Sequence, residues 1–277
     1  MEQELNFEIN ESTEYNRLCH LLHSAENDFS FLKKMNAKEL FLLRTKISDA
    51  IQDEHASTWE KLAAVAKFMP NFVNAKISQE ILGPSISANL TYFVPLRDAI
   101  SISSHFSDSF LADVTEHLIP SKSQLLLAEF PIEKIKKVIA QLEKRKGYYT
   151  MGNFVDYMPL ERVTLFSKEI KSEETLLRTG TFANKKDRLA PVIKEFTDEK
   201  LKSLIITGSK LNLTEEILSI IKHVPDSDLT RYLGILFSIG GEIFSHYLNT
   251  LKKIGGEELE RIKNLTEKMG IKIDWSN

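Results

Sequence analysis

The densest chemistry-bearing group in this 277-residue chain is Asp49, Asp53, Glu54 and His55. Asp49 and Asp53 stand one helical turn apart, so their carboxylates share a face. Paired in this way they could raise one another's pKa for acid–base work, or with His55 hold a hard divalent cation such as magnesium. The same residues also fit a solvated face opposite Leu43, Ile47 and Ile51. Cys19-His20 and His23, with Glu26 a turn later, bring soft donors to one side of a helix as zinc requires. No Cys-x-x-Cys or His-Glu-x-x-His pattern supports them, and an ordinary surface helix is the simpler account. Asp113 with His117 and Glu242 with His246 are i, i+4 pairs in which a carboxylate orients an imidazole. Neither has a nucleophile or oxyanion donor in sight, so both read as helix-surface or inter-helix hydrogen bonds. Asp113 completes a candidate cation set with Asp49, Asp53 and His55 if neighbouring helices bring them together.

The segment Lys144-Arg145-Lys146-Gly147-Tyr148-Tyr149-Thr150-Met151-Gly152-Asn153-Phe154 offers a different chemistry. Basic residues beside aromatics and glycines suit a partner peptide, an anionic head group or single-stranded RNA. They also suit a connector whose aromatics tuck into a neighbouring groove. Gly147 and Gly152 lack the Lys-Ser/Thr of a phosphate-cradling loop, which removes nucleotide binding by that route. Tyr148, Tyr149, Met151, Phe154 and Asp156 are the residues expected to touch a protein partner.

These side chains need a scaffold, and the prolines supply its measure. Phe68-Met69-Pro70, Phe93-Val94-Pro95 and Leu118-Ile119-Pro120 recur every 25 residues, followed by Tyr157-Met158-Pro159 and the weaker His223-Val224-Pro225. Proline disfavours helix in the residue before it and suits the first turn of the next, so each marks a helix junction. A fixed period of this size predicts stacked helical hairpins that bury their apolar faces only against one another. Within the clearest unit, Leu96, Ala99, Ile100 and Ile102 line the first helix and Phe106, Phe110, Val114 and Leu118 the second. Ahead of the repeats, Asn36 and Glu39 have the spacing of a reciprocal helix cap, and Leu40, Leu43, Ile47 and Ile51 form one stripe. A third helix, over about Ser57 to Met69, is expected to turn Trp59, Leu62, Ala63, Ala66 and Phe68 inward. Asn212 and Glu215 repeat the cap spacing before Ile217, Leu218, Ile220 and Ile221.

The expected organisation is a loose leader over 1–13, N-terminal helices over 14–69, a repeat region over 70–225 and capping helices over 226–277, in one continuous domain. Period-2 alternation is almost absent, so a substantial sheet is not expected. Hydrophobic residues make up 42% of the chain, enough for a continuous core, and 36 basic against 39 acidic residues leave a net charge of −3. That balance gives no general drive toward nucleic acid. The one cysteine permits no internal disulfide and fits a reducing cytoplasm. The run Tyr232 to Phe244 is interrupted by Glu242 and falls short of the roughly 20 residues of a membrane span, so it reads as a buried helix.

Phe110-Leu-Ala-Asp-Val114 through Pro120, and Met151-Gly-Asn-Phe-Val-Asp-Tyr-Met-Pro159, resemble the N-terminal superhelix of MgtE-type magnesium transporters and the armadillo-like part of the flagellar rotor protein FliG. The chain is also similar to uncharacterised soluble bacterial proteins that share stretches like Ile47-Ser-Asp-Ala50, Leu82-Gly-Pro84 and Tyr149-Thr-Met-Gly152. The resemblance implies an all-α, right-handed superhelix that works as a docking surface. Nothing like the nucleotide-sensor domains or pore of a transporter fits in the remaining residues, and no stator-facing charged helix is assigned. The expected function is that of a non-enzymatic scaffold or adaptor for a protein partner, without a cofactor. The alternative is a divalent-cation or small-ligand sensor built on acidic residues of adjacent helices.

Overall fold

The computed structural model describes residues 11–22, 24–25, 27–273 and 275. Among them every regular element is a helix and no strand occurs. The division into two compact units falls between Pro159 and Leu160, inside the repeat region that the sequence presents as continuous.

In the first unit, α1 (Glu11–Leu21) starts ahead of the expected residue 14, and residues 1–10 of the leader lie outside the described residues. Its partner α2 (Ala37–Glu54) opens on the reciprocal cap. The Asn36 N–H donates to Glu39 Oε2 at 2.9 Å, and the Glu39 N–H to Asn36 Oδ1 at 3.0 Å. Tyr15, Leu18, Cys19 and Leu40 form the seam between α1 and α2, flanked by Leu43 and Ile47.

Eight further helices follow in this unit: α3 (Ala56–Ala66), α4 (Asn71–Ile77), α5 (Gly83–Leu90), α6 (Leu96–Ser104), α7 (Asp108–His117), α8 (Gln124–Glu129), α9 (Ile132–Lys144) and α10 (Tyr148–Val155). From α3 to α9 each packs on its second neighbour. One row runs α3, α5, α7, α9 and the other α4, α6, α8. Members of the first row begin at Ala56, Gly83, Asp108 and Ile132, intervals of 27, 25 and 24 residues. Pro70 and Pro95 sit immediately before α4 and α6, and Pro120 opens the tight turn into α8. The 25-residue proline period is therefore the period of the second row.

The segment after α9 differs from the expected connector. Lys146 takes the left-handed conformation at φ 59°, the Lys146 N–H donates to Glu143 O and the Gly147 N–H to Leu142 O, and the chain re-enters helix at once as α10. A side chain at Gly147 would press on Leu142 Cδ2 at 3.1 Å. Lys146 carries the usual strain of a residue with a Cβ in this region, about 1–2 kcal/mol. Lys146→Gly should therefore raise the urea midpoint by an amount equivalent to about 0.5–1 kcal/mol, because the gain exceeds the added freedom of the unfolded chain.

The second unit repeats the arrangement. Its helices are α11 (Leu160–Glu169), α12 (Glu173–Phe182), α13 (Leu189–Lys194), α14 (Asp198–Lys210), α15 (Thr214–Ile221), α16 (Asp226–Ile239), α17 (Gly241–Ile254) and α18 (Gly256–Lys268). The rows are α12, α14, α16, α18 and α11, α13, α15, α17. Two expectations are corrected here. Asn212 does not cap α15: at φ 55° it closes α14, its N–H donating to Ser209 O and that of Leu213 to Gly208 O. The run Tyr232 to Phe244 is not one helix, since Gly240 at φ 62° ends α16 and α17 starts at Gly241. Among the described residues no helix is long and apolar enough to cross a membrane.

A recurrent tie joins second neighbours. Arg231 on α16 reaches back to the start of α14: Nη1 to Lys194 O at 3.2 Å, Nη2 to Phe196 O at 2.7 Å and Nε to Asp198 Oδ1 at 2.7 Å. Arg261 on α18 contacts the start of α16 atom for atom, meeting Lys222 O, Val224 O and Asp226 Oδ1. Lys200 on α14 plays the same part for α12, bonding Lys171 O at 2.9 Å and Glu173 Oε1 at 3.0 Å. That bond holds the Glu173 carboxyl below its ordinary pKa. In the first unit Lys134 on α9 meets Phe106 O at 3.2 Å, with Asp108 at 3.7 Å. In every case the acceptors include the first residue of a helix and the carbonyl two positions before it.

Candidate interaction surface

Row helices bury two flanks when they have neighbours on both sides, and α3 and α4 lead their rows. In α3 the half-buried Trp59 and Ala66 and the buried Ala63 form the inward stripe, at i, i+4 and i+7. That stripe leaves Leu62 and Val65 off the core, 37% and 58% exposed. Phe68, in the turn, is 90% exposed, and Phe72, in the first turn of α4, is 61% exposed. The expectation that Leu62 and Phe68 point inward is thus corrected. The inward positions are taken by two alanines and one tryptophan.

The exposed side chains stand on a fixed frame. Asn74, buried in α4, donates through Nδ2 to Ala66 O at 2.8 Å and Met69 O at 3.3 Å, which satisfies the end of α3 and sets the course of the turn carrying Phe68. Asn71 Nδ2 donates to Ser101 Oγ on α6 at 2.7 Å. Exposed Glu60, Lys61, Lys67 and Lys76 surround the four apolar residues. Lys76 is 3.9 Å from Glu80, a solvated pair of little energetic weight.

The residues first expected to touch a partner sit elsewhere. Met151, Phe154 and Asp156 are buried, and Tyr148 and Tyr149 partly so. Burial pushes the Tyr149 phenol above its ordinary pKa, opposed by the charge of Arg44, a hydrogen bond with Asn153 and the charge of Arg17. Tyr157 is raised by burial and by Asp156, again with Arg44 and Arg17 opposing. A charged cluster on α1 and α2 is therefore near enough to act on Tyr149 of α10. There Glu14, fully buried, pairs with Arg17 in close contact and with Arg44 Nε at 2.9 Å. Met151, Phe154 and Asp156 therefore lie in the interior of this unit, and the segment is a helix rather than the expected connector.

Among the described residues no group of three or more His, Cys, Asp or Glu side chains is placed to hold a metal ion. Asp113 is engaged by Arg145, which also bonds Ser109 Oγ at 2.9 Å. His55 ends α2 and meets Trp59 edge to face at 6.0 Å between centroids. Asp49 lies on α2. The side chains of Asp53 and His20, with His23 and Glu26, lie outside the described residues. Cys19 is buried in the seam between α1 and α2, and His246 packs edge-on against Tyr247. Compared with known proteins, the chain matches no family model, no curated protein and no solved structure.

Proposed function

We propose that this chain is a non-enzymatic helical-repeat adaptor of the cytoplasm, a right-handed superhelix of the armadillo or MgtE N-terminal kind. Its partner is an amphipathic helix of another protein. The observation that carries this reading is the apolar leading edge: Leu62, Val65, Phe68 and Phe72 follow one another at three- and four-residue spacing, exposed, across the α3–α4 turn. Exposed apolar groups gathered on a rigid frame and rimmed by charge are the mark of a protein-binding surface. Second-neighbour packing supports the superhelical reading, because rows of this kind grow by adding a helix to an end. A partner helix with apolar residues at i, i+3 and i+4 would continue the row, and acidic residues along its flanks would meet Lys61, Lys67 and Lys76. The single, buried Cys19 suits a reducing compartment.

The test compares wild type with Phe68→Asp/Phe72→Asp. Both sites are exposed, so unfolding should shift by no more than about 0.5 kcal/mol. A partner recovered in stoichiometric amount with wild type should be lost with the double variant. A helical peptide from that partner should bind the purified wild type with an affinity at least about tenfold above that for the variant. Equal binding by both proteins would remove the assignment. So would sedimentation showing a wild-type dimer that the double variant abolishes, since the occupant is then a second copy.

A further inference from the structure

Another exposed face of the first unit is built by α2 and the chain just ahead of it. That chain forms a 3₁₀ turn over Ser30–Lys34, and at three residues per turn Phe29, Leu32 and Met35 come to one side, Phe31 and Lys34 to another. Phe29, Leu32 and Met35 pack on the α1–α2 seam, which leaves Phe31, 65% exposed, and Lys34 outside. The helix continues the division at a spacing of four. Leu40, Leu43 and Ile47 belong to the seam, and Lys38, Leu42 and Lys46, at i, i+4 and i+8, are exposed on a different face. The reciprocal Asn36–Glu39 cap holds turn and helix in one register.

The charge of this face runs against that of the chain. Over residues 29–48 five cations, Lys33, Lys34, Lys38, Arg44 and Lys46, stand against the single carboxylate of Glu39, in a chain whose net charge is −3. Arg44 bonds the buried Glu14, and the four lysines are exposed. The carboxylates nearest in sequence are engaged by backbone: Glu39 Oε2 accepts from the Asn36 N–H, and Asp28 Oδ2 from the Ala25 N–H at 3.0 Å. Lys33 Nζ stands 5.2 Å from the Tyr15 ring centre. Among the described residues no carboxylate pairs with Lys34, Lys38 or Lys46.

We infer that this face binds the anionic surface of a lipid bilayer, with Lys34, Lys38 and Lys46 on the head groups and Phe31 and Leu42 entering the boundary of the acyl region. The residue types favour lipid over a protein. Specific protein interfaces are enriched in arginine, whose fork pairs with carboxylates in a fixed geometry, and depleted in lysine. The exposed cations here are all lysines, mobile point charges suited to a fluid sheet of phosphates and carboxylates. A nucleic-acid backbone would meet the lysines equally well but gives Leu42 nothing to enter. A helix presents a ridge, and a planar surface accommodates it along its length. Three lysines and two apolar side chains supply reversible, salt-sensitive attachment. The face shares no residue with the α3–α4 edge, so this reading and the adaptor reading stand or fall separately.

The full chain is mixed at low salt with vesicles of phosphatidylcholine, alone or with about 30% phosphatidylserine, and the bound fraction is read by sedimentation. Expected is binding to the phosphatidylserine vesicles at least about tenfold tighter than to pure phosphatidylcholine, weakening as salt rises. Each lysine is worth about fivefold at such a surface, so Lys34→Gln/Lys38→Gln/Lys46→Gln should lose on the order of a hundredfold. Phe31→Ser/Leu42→Ser should lose about tenfold and keep the salt dependence. All five sites are exposed, so both variants should unfold at the wild-type urea midpoint. Phe68→Ser/Phe72→Ser should bind vesicles as wild type does. No preference for the phosphatidylserine vesicles overturns the inference, and binding undiminished in the triple lysine variant overturns the location. Binding unchanged in Phe31→Ser/Leu42→Ser overturns the entry of the apolar pair. A single-stranded oligonucleotide or polyglutamate held as tightly as the vesicles overturns the lipid in favour of a soluble polyanion.

Discussion

Glu14→Gln should cost the first unit about 3–5 kcal/mol, the largest loss expected from any single substitution in the chain. Glu14 is fully buried between the guanidinium groups of Arg17 and Arg44, and Arg17 is itself 1% exposed. Glutamine keeps the shape and much of the hydrogen bonding but removes the charge that two buried or half-buried cations face. Taking away one member of such a cluster strands the others in a medium that solvates them poorly. Asp156, also buried, is close enough for its charge to act on Tyr157 alongside those of Arg44, Arg17 and Glu14, but it cannot balance two cations alone. Urea unfolding of a Trp275→Phe variant, followed at Trp59 in α3, reads the first unit. The Trp59→Phe counterpart reads the second, where no change is expected. Replacing Glu14, Arg17 and Arg44 together by methionine should cost less than Glu14→Gln alone, because no charge remains unpaired. A single-variant loss under about 1 kcal/mol would show that the arginines find other acceptors and that the cluster is not a mutual dependence.

Arg261→Ala should destabilise the second unit by about 2 kcal/mol. The carboxylate it meets, Asp226, is 61% exposed, so the ionic part of the tie is heavily screened. Most of the loss comes from Val224 O and Lys222 O, part-buried carbonyls at the turn before α16 that accept from the guanidinium. Arg261→Lys should recover less than half of the loss, since an ammonium on a flexible stem cannot reach three acceptors in a fixed fork. Asp226→Asn, which removes only the screened charge, should cost no more than about 0.5 kcal/mol. Equal losses for Asp226→Asn and Arg261→Ala would make the contact an ion pair after all. Urea midpoints followed at Trp275 distinguish the two outcomes, because that residue belongs to the second unit.

What the sequence reveals about this protein depends on how far apart the cooperating residues lie. Asn36 and Glu39 are three positions apart and their cap forms as read. The prolines at 70, 95 and 120 mark junctions by local sterics alone, and they give the second row of the first unit. Beyond Pro159 the repeats continue but their markers change. Helix starts are then signalled by Ser172-Glu173, Thr197-Asp198 and Pro225-Asp226, each answered by a basic residue on a later helix. Arg231 lies 33 residues from Asp198 and Arg261 lies 35 from Asp226, so neither tie is visible to a reading of neighbours along the chain. The candidate surface was hidden for another reason. Leu62 and Phe68 are large and apolar, yet in α3 the small Ala63 takes the buried position and they stay exposed. Around Tyr149 and Phe154 the reverse holds, because basic and aromatic residues beside glycine suggest a connector where the chain forms α10 and buries Met151 and Phe154.

The ties of the second unit have a consequence for how such a chain can lengthen. Donor and acceptors recur in one register, so a block such as Asp198–Pro225, copied in tandem and in frame, carries its own acidic start at Asp198 and its own terminal carbonyl at Val224. The arginine downstream still finds what it needs in the last copy. Gene duplication can therefore extend this architecture from the middle, leaving both extremities and whatever they hold untouched.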